Sequence, residues 1–264
     1  ARKSAIQAQV GALAAGAGGA ASVDDDLLTE VANLVEQPTA LLGSFDPAFL
    51  TLPREVLVAV MRKHQRYFPV EKSGQLLPHF IAVRNGGSQS LDLVALGNEH
   101  VLRARFSDAA YFVKRDRQQR LEEYLPRLAT LTFQEKLGSM LDKVGRIERL
   151  SAWLAGELRL EAAASAAVAR AARLCKADLV TGMVVEMTSL QGEVGRQYAR
   201  GDGEPEAVAE AIFEHYLPRN AGDRTAATLP GLIVGLADRL DSLMGLFAAG
   251  LQPTGARDPF ALRR

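Results

Sequence analysis

The chain has 264 residues, 48% of them hydrophobic, with thirty-one basic and thirty-one acidic side chains. That length and apolar content can fill one large core or two ordinary ones, and the cancelled charge excludes a polycation that would coat nucleic acid or acidic membranes indiscriminately. The balance is uneven: residues 1–53 carry two basic and six acidic groups, residues 54–127 thirteen and eight, and residues 128–264 sixteen and seventeen.

At the N-terminus, ARK followed by VGALAAGAGGAA imitates a secretory signal, but its centre is Ala and Gly rather than Leu. The chain therefore reads as the interior of a longer protein, with residues 11–22 flexible or loosely helical. A helix is expected from Asp24, where acidic residues precede an apolar period. Pro38, Pro47 and Pro53 punctuate the next stretch, and PREVLVAVMRKHQ reads as a short helix with Pro53 in its first turn. YFPVEKSGQLLPHFIAVRN then predicts a β-hairpin with Gly74 at the turn. Residues 1–128 are accordingly expected to form an α+β module.

From FSDAAYFVKRD onward the period is helical. Phe133, Leu137, Met140, Val144, Ile147, Leu150, Leu154 and Leu158 would line one face of a single helix. Further helices are expected over 162–175, 177–190, 204–216 and 229–248, and the C-terminal PFALRR also reads as helix. Residues 129–264 are thus expected to be all-α, and with no flexible linker near residue 128 the two parts are expected to pack together.

The single cysteine, Cys175, excludes an internal disulfide and any site of several thiolates, which suits a reducing cytoplasm. No run of about 18 apolar residues predicts a membrane span. There is no phosphate loop, HExxH, GxSxG or strand-linked GxGxxG. His64, His79, His100 and His215 are scattered singly and read as hydrogen-bonded or surface residues. Two aspartates are less ordinary, because KADLVT and LADRLD place Asp178 and Asp238 in apolar helical stretches, where an unpaired carboxylate is costly to bury. This arrangement resembles the HD superfamily of metal-dependent phosphohydrolases, whose helices present imidazoles and carboxylates to a divalent ion. Such chemistry needs three or four ligands and an open position for water. Here Ala177 stands where one imidazole would be, and Lys143 near the place of another. The resemblance therefore implies a degenerate module without metal, in which Asp178 and Asp238 cap, hydrogen-bond or pair with Lys143, Lys176 or Arg239.

A longer resemblance runs from residue 24 to residue 264. LVEQPTALLGSFDPAFLTLPREVLVAVMRKHQRYFPV, GNEHVLRARFSDAAYFVKRD, FQEKLGSMLDKVGRIERL, KADLVTGMVVEMTSLQGEVGRQYA, EHYLPRNAGD and ADRLDSLMGLFAAGLQPTGARDPFALRR are together similar to the β subunit of bacterial heterotetrameric glycyl-tRNA synthetase. This implies a central fragment of a longer subunit: an α/β module related to domains of the phenylalanyl enzyme's β subunit, then the degenerate HD module, with the C-terminal anticodon-binding domain absent. It further implies a cytoplasmic α2β2 ligase that joins glycine to its tRNA. ATP and Mg2+ would be used at the α subunit, and this fragment would carry no cofactor of its own. The fragment itself would bind tRNA and support the assembly without catalysing. Lys63 and His64, and Glu193, depart from the residues usual in the family at those places.

RNA affinity rests on Lys and Arg at phosphates, with aromatic rings available for stacking. The candidates for tRNA contact are Arg62, Lys63 and Arg66 around Tyr67, then Arg103 and Arg105, then Arg196, Tyr198, Arg200 and Arg219. Lys114, Arg115, Arg117 and Arg120 alternate with acids at helical spacing and read as a solvated face. Gly192 and Gly195 would serve a turn or a close backbone approach. A residual phosphohydrolase and a purely structural module remain the competing readings.

Overall fold

The computed structural model describes residues 1–220, 222–253 and 258, so PFALRR lies outside the described residues. The chain divides into two compact units, Ala1–Lys114 and Arg115–Arg264.

The first unit is a four-stranded antiparallel sheet with helices. Its strands are β1 (Ala20–Ala21), β2 (Pro38–Ser44), β3 (Phe68–Lys72) and β4 (Gln75–Asn85), in the order β1-β3-β4-β2. The predicted hairpin is β3–β4, with Lys72 opposite Gln75 and Gly74 at φ 80°. Strand β2 has no counterpart among the predicted elements. It runs along β4 from Pro38 opposite Asn85 to Ser44 opposite His79, and as an edge strand it tolerates a proline at its first position. The short helix fills its predicted range but changes its turn: α3 (Arg54–Ala59) continues into a single π turn over Val60–His64.

The Ala/Gly stretch is more ordered than its composition implies. Helix α1 (Arg2–Gly16) buries Ile6, Val10 and Ala14, spaced four apart. The Gln9 amide then locks it to β2, donating to Pro38 O (3.1 Å) while its oxygen accepts from Ala40 N (2.8 Å). Helix α2 (Asp25–Leu34) begins one residue after Asp24, whose carboxylate caps it by accepting from Asp26 N. Both helices cover one sheet face through Leu27, Leu28, Val31, Phe68, Val70 and Ile81. Strand alternation turns Tyr67 and Phe80 to the opposite face, where their rings stack at 4.6 Å. Helix α4 (Leu91–Asp116) starts well before Phe106, and that ring packs on Phe45 and Phe49 at 5.0 and 5.4 Å.

The second unit is mostly helical, but the expected all-α pattern needs one correction. Phe133 and Leu137 do not extend the following helix; β5 (Thr132–Gln134) and β6 (Gly138–Ser139) form a small hairpin there. The helix starts at Met140 because Ser139 and Asp142 make a reciprocal cap: Asp142 N donates to Ser139 Oγ (3.2 Å), and Ser139 N to Asp142 Oδ2 (2.8 Å). Then come α5 (Met140–Glu157), α6 (Ala162–Leu174), α7 (Gly182–Glu186), α8 (Glu193–Gly201), α9 (Glu206–Glu214) and α10 (Leu229–Ala248). The predicted 177–190 helix is likewise interrupted, with 3-10 turns over Ala177–Val180 and Thr188–Leu190 flanking α7. Thr181 causes the break: its hydroxyl donates to Asp178 O (2.7 Å) and accepts from Val184 N, restarting the helix. Among the described residues no helix is long and apolar enough to cross a membrane.

The packing of β2 on β4 supplies a test of the sheet. Gly43 sits opposite Phe80, and a Cβ there would overlap the Phe80 ring, which is fully buried. Gly43→Ala is expected to destabilise the chain by about 1–3 kcal/mol through overpacking. Urea unfolding measures it, and an unchanged midpoint would contradict the close approach.

Candidate functional site

The densest polar cluster of the second unit lies between α5, α10 and the segment that follows α6. Lys143 projects inward from the first turn of α5 and is 3% exposed. Its Nζ lies 2.9 Å from Asp238 Oδ1 and 2.9 Å from Asp241 Oδ2, and donates to Ser242 Oγ at 2.8 Å. Asp238 and Asp241 are three residues apart on α10, which brings them to one face. On one side Arg146 Nε reaches Asp241 Oδ1 at 2.5 Å. On the other, Lys176 Nζ donates to Asp238 Oδ2 at 2.7 Å and to His215 Nε2 at 2.9 Å. The Phe133 and Tyr216 rings sit 4.4 and 4.1 Å from the two ammoniums.

The result is an alternating chain, Arg146, Asp241, Lys143, Asp238, Lys176, that ends on a neutral imidazole. His215 Nδ1 donates to Ile212 O at 2.7 Å, which leaves Nε2 as the acceptor for Lys176. Burial, and then the Lys176 charge, hold His215 well below the usual histidine range. Burial alone would push Asp238 upward. The Lys176 and Lys143 charges outweigh it and hold the carboxyl well below the usual carboxylate range.

Asp178 belongs to a different network. Its Oδ2 accepts from Gly192 N (2.6 Å) and Gly195 N (3.2 Å), at the start of α8. Gly192, at φ 79°, and Gly195 permit this approach: a Cβ at Gly195 would lie 2.8 Å from Ile212 and 3.1 Å from the Asp178 carboxyl. Burial raises the Asp178 carboxyl to about 6, against the opposing pull of those amides and of Lys176. Ala177 is buried beside it, and burial raises the Cys175 thiol to about 12. Arg239 pairs with neither aspartate. Its guanidinium donates to the carbonyls of His215, Tyr216, Leu217 and Pro218, beyond the end of α9. Among the described residues no group of three or more His, Cys, Asp and Glu side chains is placed to hold a metal ion.

The basic residues singled out in the sequence fall into two classes. Arg196 pairs with Glu193 (2.5 Å) and Glu210 (3.1 Å), Arg200 with Glu206 and Glu210, and Arg219 with Asp223 (2.8 Å). Tyr198 is buried, with its hydroxyl donating to Asp116 Oδ2 at 3.0 Å, so its ring is not on the surface beside those arginines. In the first unit Arg62 pairs with Asp24 and Arg66 with Glu30 (2.6 Å), while Tyr67 is buried against Phe80. Lys63 is exposed on the π turn. Arg103 and Arg105 are exposed on α4 and make no ion pair with a described residue, and the same holds for Lys114, Arg115 and Arg117.

Sequence reading missed Asp116 and Glu214. Asp116 lies in VKRDRQQRLEE yet is buried, accepting from Gly182 N (2.8 Å), Met183 N (2.9 Å) and Tyr198. Glu214 accepts from Ala227 N and Thr228 N, both at 3.0 Å, ahead of α10. The partners of each are distant in sequence, so no local pattern announces them.

Comparison with known proteins adds an independent finding. The family model described as glycyl-tRNA synthetase beta subunit matches residues 1–264. The chain is 52% identical over 269 residues to the glycine-tRNA ligase beta subunit of Trichodesmium erythraeum, covering all of this chain and 37% of that protein. It is 52% identical over 263 residues to that of Clostridioides difficile and 50% over 264 residues to that of Bacillus subtilis, covering all of this chain and 38% and 39% of theirs. The chain thus spans less than two fifths of the length of the curated relatives it matches.

The two aspartates are expected to respond oppositely to change. Asp238→Asn leaves two buried ammoniums without their shared counter-charge and is expected to cost about 3–5 kcal/mol in urea unfolding. For Asp178 the folded carboxyl titrates higher than the unfolded one, so the folded state binds more protons between about pH 4 and pH 6 and loses stability as pH rises through that window. Asp178→Asn, which keeps an acceptor for Gly192 and Gly195, is expected to remove that slope. Relative to the parent chain, the variant should gain on the order of 3 kcal/mol between pH 4 and pH 7. Equal slopes in both chains would refute the assignment.

Proposed function

Because the chain belongs to the glycyl-tRNA synthetase beta subunit family, we propose that it is a tRNA-binding and scaffolding portion of a glycine-tRNA ligase that acts in the cytoplasm. The whole enzyme joins glycine to tRNA(Gly) in an α2β2 assembly, with ATP and Mg2+ used at the α subunit and no catalytic residue supplied by this portion. The observation that carries the scaffolding role is the internal pairing of the second unit's buried charges. Lys143 and Lys176 neutralise Asp238 and Asp241, and Asp178 accepts backbone amides. Groups held this way fix helices and are not free to activate water.

The helical unit is read as an HD-like framework adapted to this task. Two ammoniums supply, beside Asp238, the positive charge that the related hydrolases obtain from a divalent ion. An ammonium offers neither an open coordination position nor a water of lowered pKa. The RNA-binding role draws on the exposed cations of the middle of the chain, where the positive surplus lies.

The test uses glycine, ATP, Mg2+ and tRNA(Gly). A full-length β subunit combined with its α partner is expected to form glycyl-tRNA, and Lys176→Met in that β subunit to lower the yield at least tenfold by weakening the helical unit. The 264-residue chain alone is expected to form none. Glycyl-tRNA made by the chain alone, or phosphate release from a nucleotide that follows added Mn2+, would overturn the noncatalytic reading.

A further inference from the structure

We propose that the outward stripe of α4, formed by His100, Arg103, Ser107, Tyr111 and Lys114, is a docking ridge for an RNA strand. Arg103 and Lys114 would lie on phosphates, and Tyr111 between them would stack on an unpaired base. The inference deepens the tRNA-binding reading above and rests on it.

Helical spacing puts these five residues on one face, at steps of three and four. The opposite face carries Leu102, Phe106, Ala109 and Val113, all buried, so the stripe points away from the core. His100, Arg103, Ser107 and Lys114 are exposed, and Tyr111 is 59% exposed, a large value for an aromatic ring. At 1.5 Å rise per residue, Arg103 and Lys114 stand about 16 Å apart along the axis. That spacing reaches phosphates on either side of a stacked base.

The stripe contrasts with the other basic positions. Arg62, Arg66, Arg196, Arg200 and Arg219 each hold a carboxylate of this chain, so RNA would have to displace it. Arg103 and Lys114 make no ion pair with a described residue. The carboxylates of α4 leave the stripe clear: Glu99 turns to accept from Ser44 N (2.8 Å) and Ser44 Oγ (3.0 Å), and Asp116 is buried. Asp108 follows Ser107 and so lies about 100° round the helix from it, and Asp92 precedes His100 by about two turns. A cationic ridge with a central exposed aromatic and no acid along its line complements a polyanion with π-faces.

The test measures tRNA(Gly) binding to a full-length β subunit combined with its α partner, across a salt series. Arg103→Ala with Lys114→Ala is expected to weaken the Kd about tenfold and to lower the log–log salt slope by about two, one for each phosphate deprived of its cation. Tyr111→Ala is expected to weaken the Kd by a similar factor with an unchanged slope, because stacking releases no counterion. Arg103→Lys alone, which keeps both cations, is expected to leave the parent slope unchanged. All positions are on the surface, so an unchanged melting temperature verifies folding. Unaltered affinity and slope in the double variant, with the parent enzyme binding normally, would overturn the ridge while leaving the function standing. Lost association with the α subunit at unchanged tRNA affinity would also overturn it, in favour of a protein occupant. Should the parent α/β enzyme bind tRNA no better than the α subunit alone, the tRNA-binding reading itself fails, and the ridge with it.

Discussion

A carboxylate held between two buried ammoniums organises the helical unit. Asp238 on α10 faces Lys143 from α5 at 2.9 Å and Lys176 from the turn after α6 at 2.7 Å. Three elements far apart in sequence must therefore arrive together, because none of these charges can be left alone away from water. Asp241 and Arg146 extend the network toward solvent, and neutral His215 closes its inner end by accepting from Lys176. A different packing of the same helices would strand at least one charge. The network therefore penalises any packing that separates these residues.

The same economy of carboxylates recurs at helix starts. A helix leaves its first amides without partners, and a unit built of many short segments has many such amides in its interior. Asp116 meets those of Gly182 and Met183 at α7, Asp178 those of Gly192 and Gly195 at α8, and Glu214 those of Ala227 and Thr228 before α10. Each is a long-range cap. Asp178 shows the cost, since burial raises its carboxyl to about 6 even with two amides upon it. Asp116, Asp178 and Glu214 are thus directed chiefly at backbone amides.

Features carried by adjacent residues were legible in the sequence. The 229–248 period became α10, Gly74 marked the β3–β4 turn, and Asp24 began α2. What depends on a distant partner was not. Strand β2 exists because β4 pairs with it, and α1 is held by the Gln9 amide on β2. Phe133 and Leu137 fit a helical period, yet the cap of Ser139 by Asp142 places the helix boundary after them.

The candidate site divides along the same line. From its sequence alone the chain carried a family likeness, a positive surplus in its middle, and two aspartates in apolar surroundings without the imidazoles a metal would need. Those depend on residue identity and local order. Which cations are free was decided only by the tertiary structure. Arg196 and Arg200 find Glu210, Arg219 finds Asp223, and Tyr198 turns inward to Asp116, whereas Arg103 and Lys114 face solvent. An ion pair needs two side chains within about 4 Å, and for most of these groups that distance is set by how helices pack.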